Sequence, residues 1–208
     1  MKILNNKLKI LKLSIILLIS ITIIIILNSN IKLFQSDDYI FLKIFQKTNN
    51  ENKIDYNQDI IVALDDIQDP GNLGTILRTV DSIGLNQILV SKGTADCYNP
   101  KVVRSTMGAI FRIKIIECED IEQTLKETQK NNFKLVVSSL QTKNSLYDIN
   151  FDKKVIIIGN EANGVEQRIQ DIADEKIKIP MLGKTESLNA SVATGIILYE
   201  YVRQKIAK

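Results

Sequence analysis

The stretch "IKIPMLGKTESLNASVATGIILYE", Ile177–Glu200, decides the fold. It begins as a short apolar strand, passes through a loop rich in Gly, Ser and Asn, and continues as a long helix. The chain upstream repeats this alternation of strands and helices, and its runs Ile60–Asp65 and Lys154–Gly159 are apolar almost throughout. Such runs are typical of strands that are covered on both faces. The sequence therefore predicts an α/β fold with a mostly parallel sheet flanked by helices.

Turn and capping residues divide the rest of the chain into elements. Asn99 and Pro100 are typical of a helix N-cap and its first helical residue, and Asp120 opens an amphipathic segment. The predicted helices are Leu73–Gly84, Asn99–Ile110, Asp120–Asn132, Glu166–Ala173 and Asn189–Lys205. The other predicted strands are Gln87–Ser91, Arg112–Glu117, Lys134–Leu140 and Glu175–Pro180. Ligands of parallel sheets bind beyond the carboxyl ends of the strands, so the loops there are the expected place of a site.

Charge is unevenly distributed along the 208 residues. Residues 1–59 contain eight lysines and five acidic residues, whereas residues 60–208 contain equal numbers of basic and acidic residues. The organised part of the chain is therefore not a basic nucleic-acid-binding domain by bulk charge. Any contact with RNA must come from local patches.

The sequence contains no His, and this absence excludes several kinds of site. Nucleophilic dyads that use His and metal sites that use His are not available, and no metal site is predicted. Cys97 and Cys118 lack CxxC spacing. We predict that both are buried free thiols, which fits a reducing compartment.

An uncharged apolar run, Leu13–Leu27, follows four lysines near the N-terminus. The pattern is typical of a signal-like segment or of a short membrane anchor over residues 10–27, although no small-residue cleavage site follows. A second interpretation is the remnant of another domain or the product of AT-rich sequence, including a frame error. Residues 46–59 are polar and rich in Asn, which indicates a linker. We therefore divide the chain into residues 1–59 and an organised domain at residues 60–208.

Three loops after predicted strands are rich in Gly, Asn and Ser. The first belongs to "DPGNLGTILRTVDSIG" (Asp69–Gly84), the second to "VIIIGNEANGV" (Val155–Val165), and the third to the C-terminal stretch quoted above. Alone, the "GNLG" of the first loop fits either a phosphate-binding turn or a tight connection between strand and helix. The dinucleotide-binding pattern GxGxxG is absent.

In this order and at these separations, the three segments resemble the motifs of the SpoU (TrmH) family of RNA ribose methyltransferases, within the SPOUT class. The resemblance covers about residues 60–206. It implies a SPOUT-type fold whose C-terminal segment threads a loop to make a deep trefoil knot. It also implies S-adenosyl-L-methionine as the cofactor, a ribose 2′-hydroxyl of tRNA or rRNA as the methyl acceptor, and a homodimer as the active unit.

The resemblance also implies roles for individual residues. The backbone at Ile179 and Leu188 is expected to hold the adenine of the cofactor. The expected cofactor-binding residues are Gly159, Ile179, Met181, Gly183 and Leu188. The expected catalytic set is Asn72, Arg78, Glu161, Ser187 and Asn189. Structural roles compete for some of these, since Asn72 could brace its loop and Ser187 or Asn189 could cap the last helix. For Asn189 the two roles are compatible.

Arg78 is expected to act on the RNA. Only five of the 27 basic residues are Arg, so the presence of Arg and not Lys at this position indicates a specific role. A guanidinium stays charged and is a poor base, but its planar fork can bind the phosphate beside the target ribose and stabilise alkoxide character. A second group of basic residues could form an edge that contacts phosphates, with scattered surface charge as the alternative. This group is Lys101, Arg104, Arg112 and Lys114.

Many relatives carry an RNA-binding domain ahead of the catalytic domain, and residues 1–59 are too few for it. We therefore expect a cytoplasmic enzyme that methylates rRNA or tRNA, with the RNA and the nucleotide left open. The alternative is a non-catalytic RNA- or cofactor-binding remnant of the same fold.

Overall fold

The computed structural model describes residues 53–207. The apolar run of residues 10–27, predicted as an anchor or a remnant, lies outside the described residues. Within residues 53–207, no helix has the length and apolar character needed to cross a membrane. Both cysteines are buried free thiols, as predicted.

The end of the predicted linker lies against the domain. The backbone N of Asp55 donates to Oε1 of Gln87 at 2.8 Å, and the rings of Tyr56 and Phe133 lie 6.1 Å apart. Lys153 donates its Nζ to the Tyr56 carbonyl at 2.6 Å. Residues 53–59 are therefore held by side-chain contacts even though their composition is that of a linker.

Six strands of the described chain form one sheet in which all neighbours are parallel. They are β1 (Ile60–Asp65), β2 (Gln87–Ser91), β3 (Lys114–Cys118), β4 (Lys134–Ser138), β5 (Lys154–Gly159) and β6 (Glu175–Ile177). Their order across the sheet is β3-β2-β1-β5-β4-β6. The predicted α/β class is confirmed. The trefoil knot stays a prediction, since strand order alone does not define how the chain is threaded.

Five α-helices connect and cover the strands of this part of the chain. They are α1 (Pro70–Ser82), α2 (Pro100–Ser105), α3 (Ile121–Lys130), α4 (Gln167–Ile172) and α5 (Ala190–Ile206). One face of the sheet packs its apolar side chains against Ile121 and Leu125 of α3 and Ile169 of α4. Helix α1 packs against both α2 and α5 on the other side. Both faces are covered, which explains the continuous apolar runs of β1 and β5.

Helix α1 begins three residues earlier than predicted, which corrects the interpretation of the "GNLG" loop. Asp69 is its N-cap and accepts from the backbone N of Asn72 at 2.8 Å, and Pro70 is the first helical residue. Gly71 and Gly74 therefore lie inside the helix. A Cβ on Gly74 would stand 1.7 Å from Oγ of Ser105, so this glycine permits close approach of α1 and α2.

The helix predicted over Asn99–Ile110 is also shorter in the structure. Helix α2 ends at Ser105 because Met107 and Gly108 adopt left-handed conformations, with φ of 50° and 87°. A short 3₁₀ turn, Ala109–Phe111, follows and leads into β3. A second 3₁₀ turn, which the sequence did not indicate, covers Leu146–Asp148.

The strand order reverses between β1 and β5, and this point positions the site. The two strands run in register, and their last residues, Asp65 and Gly159, are partners. The loops that follow them, at residues 66–69 and 160–166, are therefore neighbours. Such a reversal leaves a crevice at the carboxyl end of a parallel sheet, where ligands bind. The chain also passes this end between β6 and α5.

Candidate active site

Asn72 joins all three motifs by side-chain hydrogen bonds. Its Nδ2 donates to Oε1 of Glu161 at 3.0 Å, and its Oδ1 accepts from Nδ2 of Asn189 at 2.9 Å. Asn72 lies in the first turn of α1, Glu161 follows β5, and Asn189 precedes α5. Three residues of the predicted catalytic set are thus brought together from distant parts of the chain.

Asn189 both caps α5 and belongs to this network. Its Oδ1 accepts from the backbone N of Ser191 at 3.0 Å and of Val192 at 3.3 Å, while its Nδ2 is directed to Asn72. The Oγ of Ser191 donates to Oδ1 of Asn189 at 2.6 Å. Ser191 was missed at the sequence level, although its position two residues after an N-cap Asn favours such a contact.

Glu161 is held as an anion by three donors. Besides Asn72, the backbone N–H groups of Gln68 and Asp69 lie 3.4 Å from its carboxylate oxygens. Partial burial acts to raise the pKa of Glu161, but the hydrogen bonds from Asn72 and from the backbone N–H groups outweigh it, so the pKa is lowered. A carboxylate of low pKa is a weak base, which favours a positioning role for Glu161.

The lowered pKa predicts how stability depends on pH. A carboxylate whose pKa is lower in the folded state stabilises the fold above its unfolded pKa, and this contribution is lost as pH falls through the folded value. We expect Glu161→Gln to reduce the free energy of unfolding by a constant amount above about pH 4.5 and by less below it. Urea unfolding of both proteins between about pH 3 and about pH 8 measures this difference. A difference that grows toward acid pH would contradict the argument.

Asn160 shapes the turn that presents Glu161. Its Nδ2 donates to the carbonyl of Asp66 at 2.9 Å, and its Oδ1 accepts from the backbone N of Ala162 at 2.9 Å and of Asn163 at 3.1 Å. Its backbone pairs in both directions with Gly164. The sequence analysis did not select Asn160, although Asn at the end of a strand is a common turn signal.

A cleft of about 250 Å³ lies at the carboxyl ends of β4 and β5. Four of the five residues predicted to bind the cofactor line it, as do Glu161 and Ser187 of the predicted catalytic set. The four are Gly159, Ile179, Met181 and Leu188. Gly183 does not line the cleft, and its exposed position has open space where a Cβ would stand.

The backbone at Ile179 and Leu188 is free to bind a ligand. Within residues 53–207, the N–H and C=O groups of these two residues make no hydrogen bond to the protein. Both residues are half-buried in the wall of the cleft. Buried backbone groups of folded proteins are nearly always paired, so such free groups are suited to a polar ligand.

Asn72, Glu161 and Asn189 form one hydrogen-bonded group, the Asn72 network. Arg78 and Ser187 lie outside it. Arg78 is exposed on α1, six residues beyond Asn72, a separation of about 9 Å along the helix axis. Neither its guanidinium nor the exposed Ser187 hydroxyl has a hydrogen-bond or ion-pair partner among the described residues. Both side chains remain available for a ligand.

The predicted basic edge is divided in the structure. Arg112 makes a two-pronged ion pair with Asp81 of α1, with Nη2 and Oδ2 2.7 Å apart. This pair raises the pKa of Arg112 and lowers the pKa of Asp81, mainly through the hydrogen bonds between them. Lys101 lies 4.0 Å from Asp69, and Arg104 is exposed with no partner in the described part of the chain. Lys101 and Arg104 are therefore freer than Arg112 to meet a phosphate.

Several proteins of known sequence are similar to this chain. The family model described as the SpoU rRNA Methylase family matches residues 59–199. The chain is 34% identical over 148 residues to the 23S rRNA (guanosine-2'-O-)-methyltransferase RlmB of Xanthomonas axonopodis pv. citri, covering 71% of this chain and 59% of that protein. It thus spans about three fifths of the length of the curated relatives it matches.

Several solved structures are similar to this chain in fold. The SpoU methyltransferase AviRb from Streptomyces viridochromogenes, in complex with AdoMet, superposes with a TM-score of 0.69 at 30% identity, over 73% of this chain and 63% of that one. The A. aeolicus TrmH/SpoU tRNA modifying enzyme gives a TM-score of 0.66 at 32% identity, over 80% and 85% of the two chains. Together with the family model, these likenesses show that the chain belongs to the SpoU rRNA methylase family.

Proposed function

We propose that the protein methylates a ribose 2′-hydroxyl of rRNA or tRNA with S-adenosyl-L-methionine. The observation that carries this proposal is the hydrogen-bonded union of Asn72, Glu161 and Asn189 beside a cleft lined by the expected cofactor residues. The printed names of relatives include rRNA methyltransferases and a tRNA-modifying enzyme, and one related structure contains AdoMet. These names support the reaction without selecting the RNA.

The cleft fits the proposed cofactor chemically. Adenine presents fixed donors and acceptors, and the free backbone groups of Ile179 and Leu188 supply complementary ones. Met181 contributes an apolar wall, and Gly159 has no room for a side chain because a Cβ would stand 2.1 Å from the backbone N of Val165. We assign cofactor binding to Gly159, Ile179, Met181 and Leu188, and we keep Gly183 only as part of the connecting loop.

The bound cofactor supplies a methyl group on a sulfonium for transfer to the ribose oxygen. The protein contributes position and charge. The Asn72 network holds the 160–166 turn against the N-terminus of α5, and both form walls of the cleft. Arg78, with its guanidinium uncommitted, binds the phosphate beside the target ribose and stabilises negative charge on the attacking oxygen. Ser187 faces the same cleft and is available to the ribose.

Exposed basic residues bind the RNA beyond the reacting nucleotide. We assign Lys101 and Arg104 to phosphates, because both are exposed on or at the start of α2, which packs against α1. Arg112 is a weaker candidate, since binding a phosphate would compete with Asp81. The rRNA or tRNA substrate lies in the cytoplasm, which we propose as the compartment.

A homodimer is part of the proposal. Helix α5 exposes Val192 and Tyr199, which are 50% and 55% accessible and lie seven residues apart, on one side of the helix. An exposed apolar stripe of this kind fits an interface with a second copy. We keep residues 60–208 as the catalytic domain, with residues 53–59 packed against it.

The proposal is tested with purified protein, S-adenosyl-L-methionine carrying a labelled methyl group, and total RNA. We expect label in RNA, and we expect it to disappear when the target nucleotide, once mapped, is supplied as its 2′-deoxy form. Cofactor binding without any transfer to rRNA or tRNA would instead support the second candidate, a non-catalytic binding protein of the same fold. Absence of cofactor binding would contradict the methyltransferase, and absence of both cofactor and RNA binding would contradict both candidates.

A further inference from the structure

Among the described residues that line the cofactor cleft, Lys178 is the only basic one and Glu161 is the only acidic one. Glu161 is already bound by three donors, as described above. The cleft therefore contains a single positive charge whose role is not yet assigned. Lys178 lies directly after β6, at the start of the segment that leads to Ile179.

The backbone N–H and C=O groups of Lys178 are both hydrogen-bonded within the protein. Its N donates to the carbonyl of Asn144 at 3.0 Å, and its carbonyl accepts from the N of Leu146 at 2.8 Å. These bonds fix the residue beside the loop that follows β4. What Lys178 offers the cleft is consequently its ammonium group, with three donors and no acceptor.

The ammonium group of Lys178 has no partner among residues 53–207. No hydrogen bond or ion pair joins it to another described residue, although the residue is half-buried. The nearby Lys176 differs, since its Nζ donates to Oε1 of Gln170 at 3.2 Å. An ammonium group that lies in a ligand cleft and has no partner among the described residues is suited to an anionic ligand group.

We propose that Lys178 binds the carboxylate of the methionine part of the cofactor and so selects ligands that carry this group. The inference rests on the proposed function. A cofactor held by backbone groups at its adenine end needs a charged contact to distinguish a complete amino-acid end from one without the carboxylate. An ammonium–carboxylate pair in a sheltered cleft supplies that contact.

The test compares two ligands by calorimetry on the full chain. One is S-adenosyl-L-methionine, and the other is its decarboxylated form, which keeps the adenosine, the sulfonium and the amine. We expect Lys178→Met to weaken binding of the first about tenfold or more and to change binding of the second less than about twofold. Lys178→Arg should restore most of the affinity, because it restores the charge.

Lys134→Met is the matched control, since it removes an exposed lysine at the start of β4 that does not line the cleft, and it should leave both affinities unchanged. Equal weakening of both ligands by Lys178→Met, or no weakening of either, would overturn the inference. A loss of RNA affinity with unchanged cofactor affinity would also overturn it, by placing Lys178 on the RNA. If the wild-type protein binds neither ligand, the proposed function fails as well, so the two failures are distinguishable.

Discussion

Replacing Arg78 by Lys is expected to leave the fold and cofactor affinity intact and to lower the methyl-transfer rate at saturating RNA by about 100-fold or more. Arg78 is exposed and has no partner in the described part of the chain, so its removal disturbs no internal contact. Lysine keeps the charge but replaces a planar fork by a point charge. The variant should therefore stabilise the transition state less, because it lacks the two parallel hydrogen bonds that a guanidinium makes to a phosphate.

Single-turnover methylation, with calorimetry for the cofactor and thermal unfolding for stability, measures this prediction. Arg203→Lys is a suitable control, because Arg203 pairs with Glu200 near the end of α5, away from the cleft. Its rate should match that of the wild type. Equal rates for Arg78→Lys and the wild type at saturating RNA would exclude the proposed role of the guanidinium.

Replacing Gly159 by Ala is expected to lower the free energy of unfolding by about 3 kcal/mol and to abolish cofactor binding. A Cβ on this residue would stand 2.1 Å from the backbone N of Val165 and 2.2 Å from the carbonyl carbon of Gly164. Both atoms belong to backbone that cannot rotate away. The turn that presents Glu161 must move to relieve the clash, so stability and the site are lost together.

Two other glycines supply matched controls for urea unfolding and cofactor calorimetry. Gly164 has open space at its Cβ position but a φ of 71°, so Gly164→Ala should cost about 1 kcal/mol of conformational strain. Gly183 has open space and no left-handed backbone, so Gly183→Ala should leave stability unchanged. If Gly159→Ala proved no more damaging than Gly164→Ala, close approach of the backbone would not be the reason for glycine at position 159.

The order of strands and helices could be predicted because buried parallel strands and capped helices leave strong local patterns. The boundaries were less accurate where two signals competed. Asp69 and Pro70 form a helix start, but the glycines that follow suggested a loop, and the predicted helix began too late. Gly74 is tolerated inside α1 because α2 packs closely there, and that contact is not visible in local sequence.

Site residues that belong to sequence motifs could likewise be predicted, whereas contacts between distant residues could not. The resemblance selected Asn72, Glu161 and Asn189, and the structure joins them. The pairing of Arg112 with Asp81 crosses 31 positions, so sequence proximity to other basic residues was misleading. The sequence places Lys178 after a strand, but it does not show that the side chain has no partner among the described residues.

The Asn72 network also ties activity to the folding of the whole domain. Its two bonds span 89 and 117 positions of the chain, so no short segment can assemble the site before the sheet and α5 are in place. Contacts of such long range form late and slow the folding of a domain. Partial opening at α5 would release Asn189 and dismantle the polar centre at once. Heat inactivation should accordingly occur at or below the temperature of global unfolding, because opening of α5 alone is enough to separate Asn189 from Asn72.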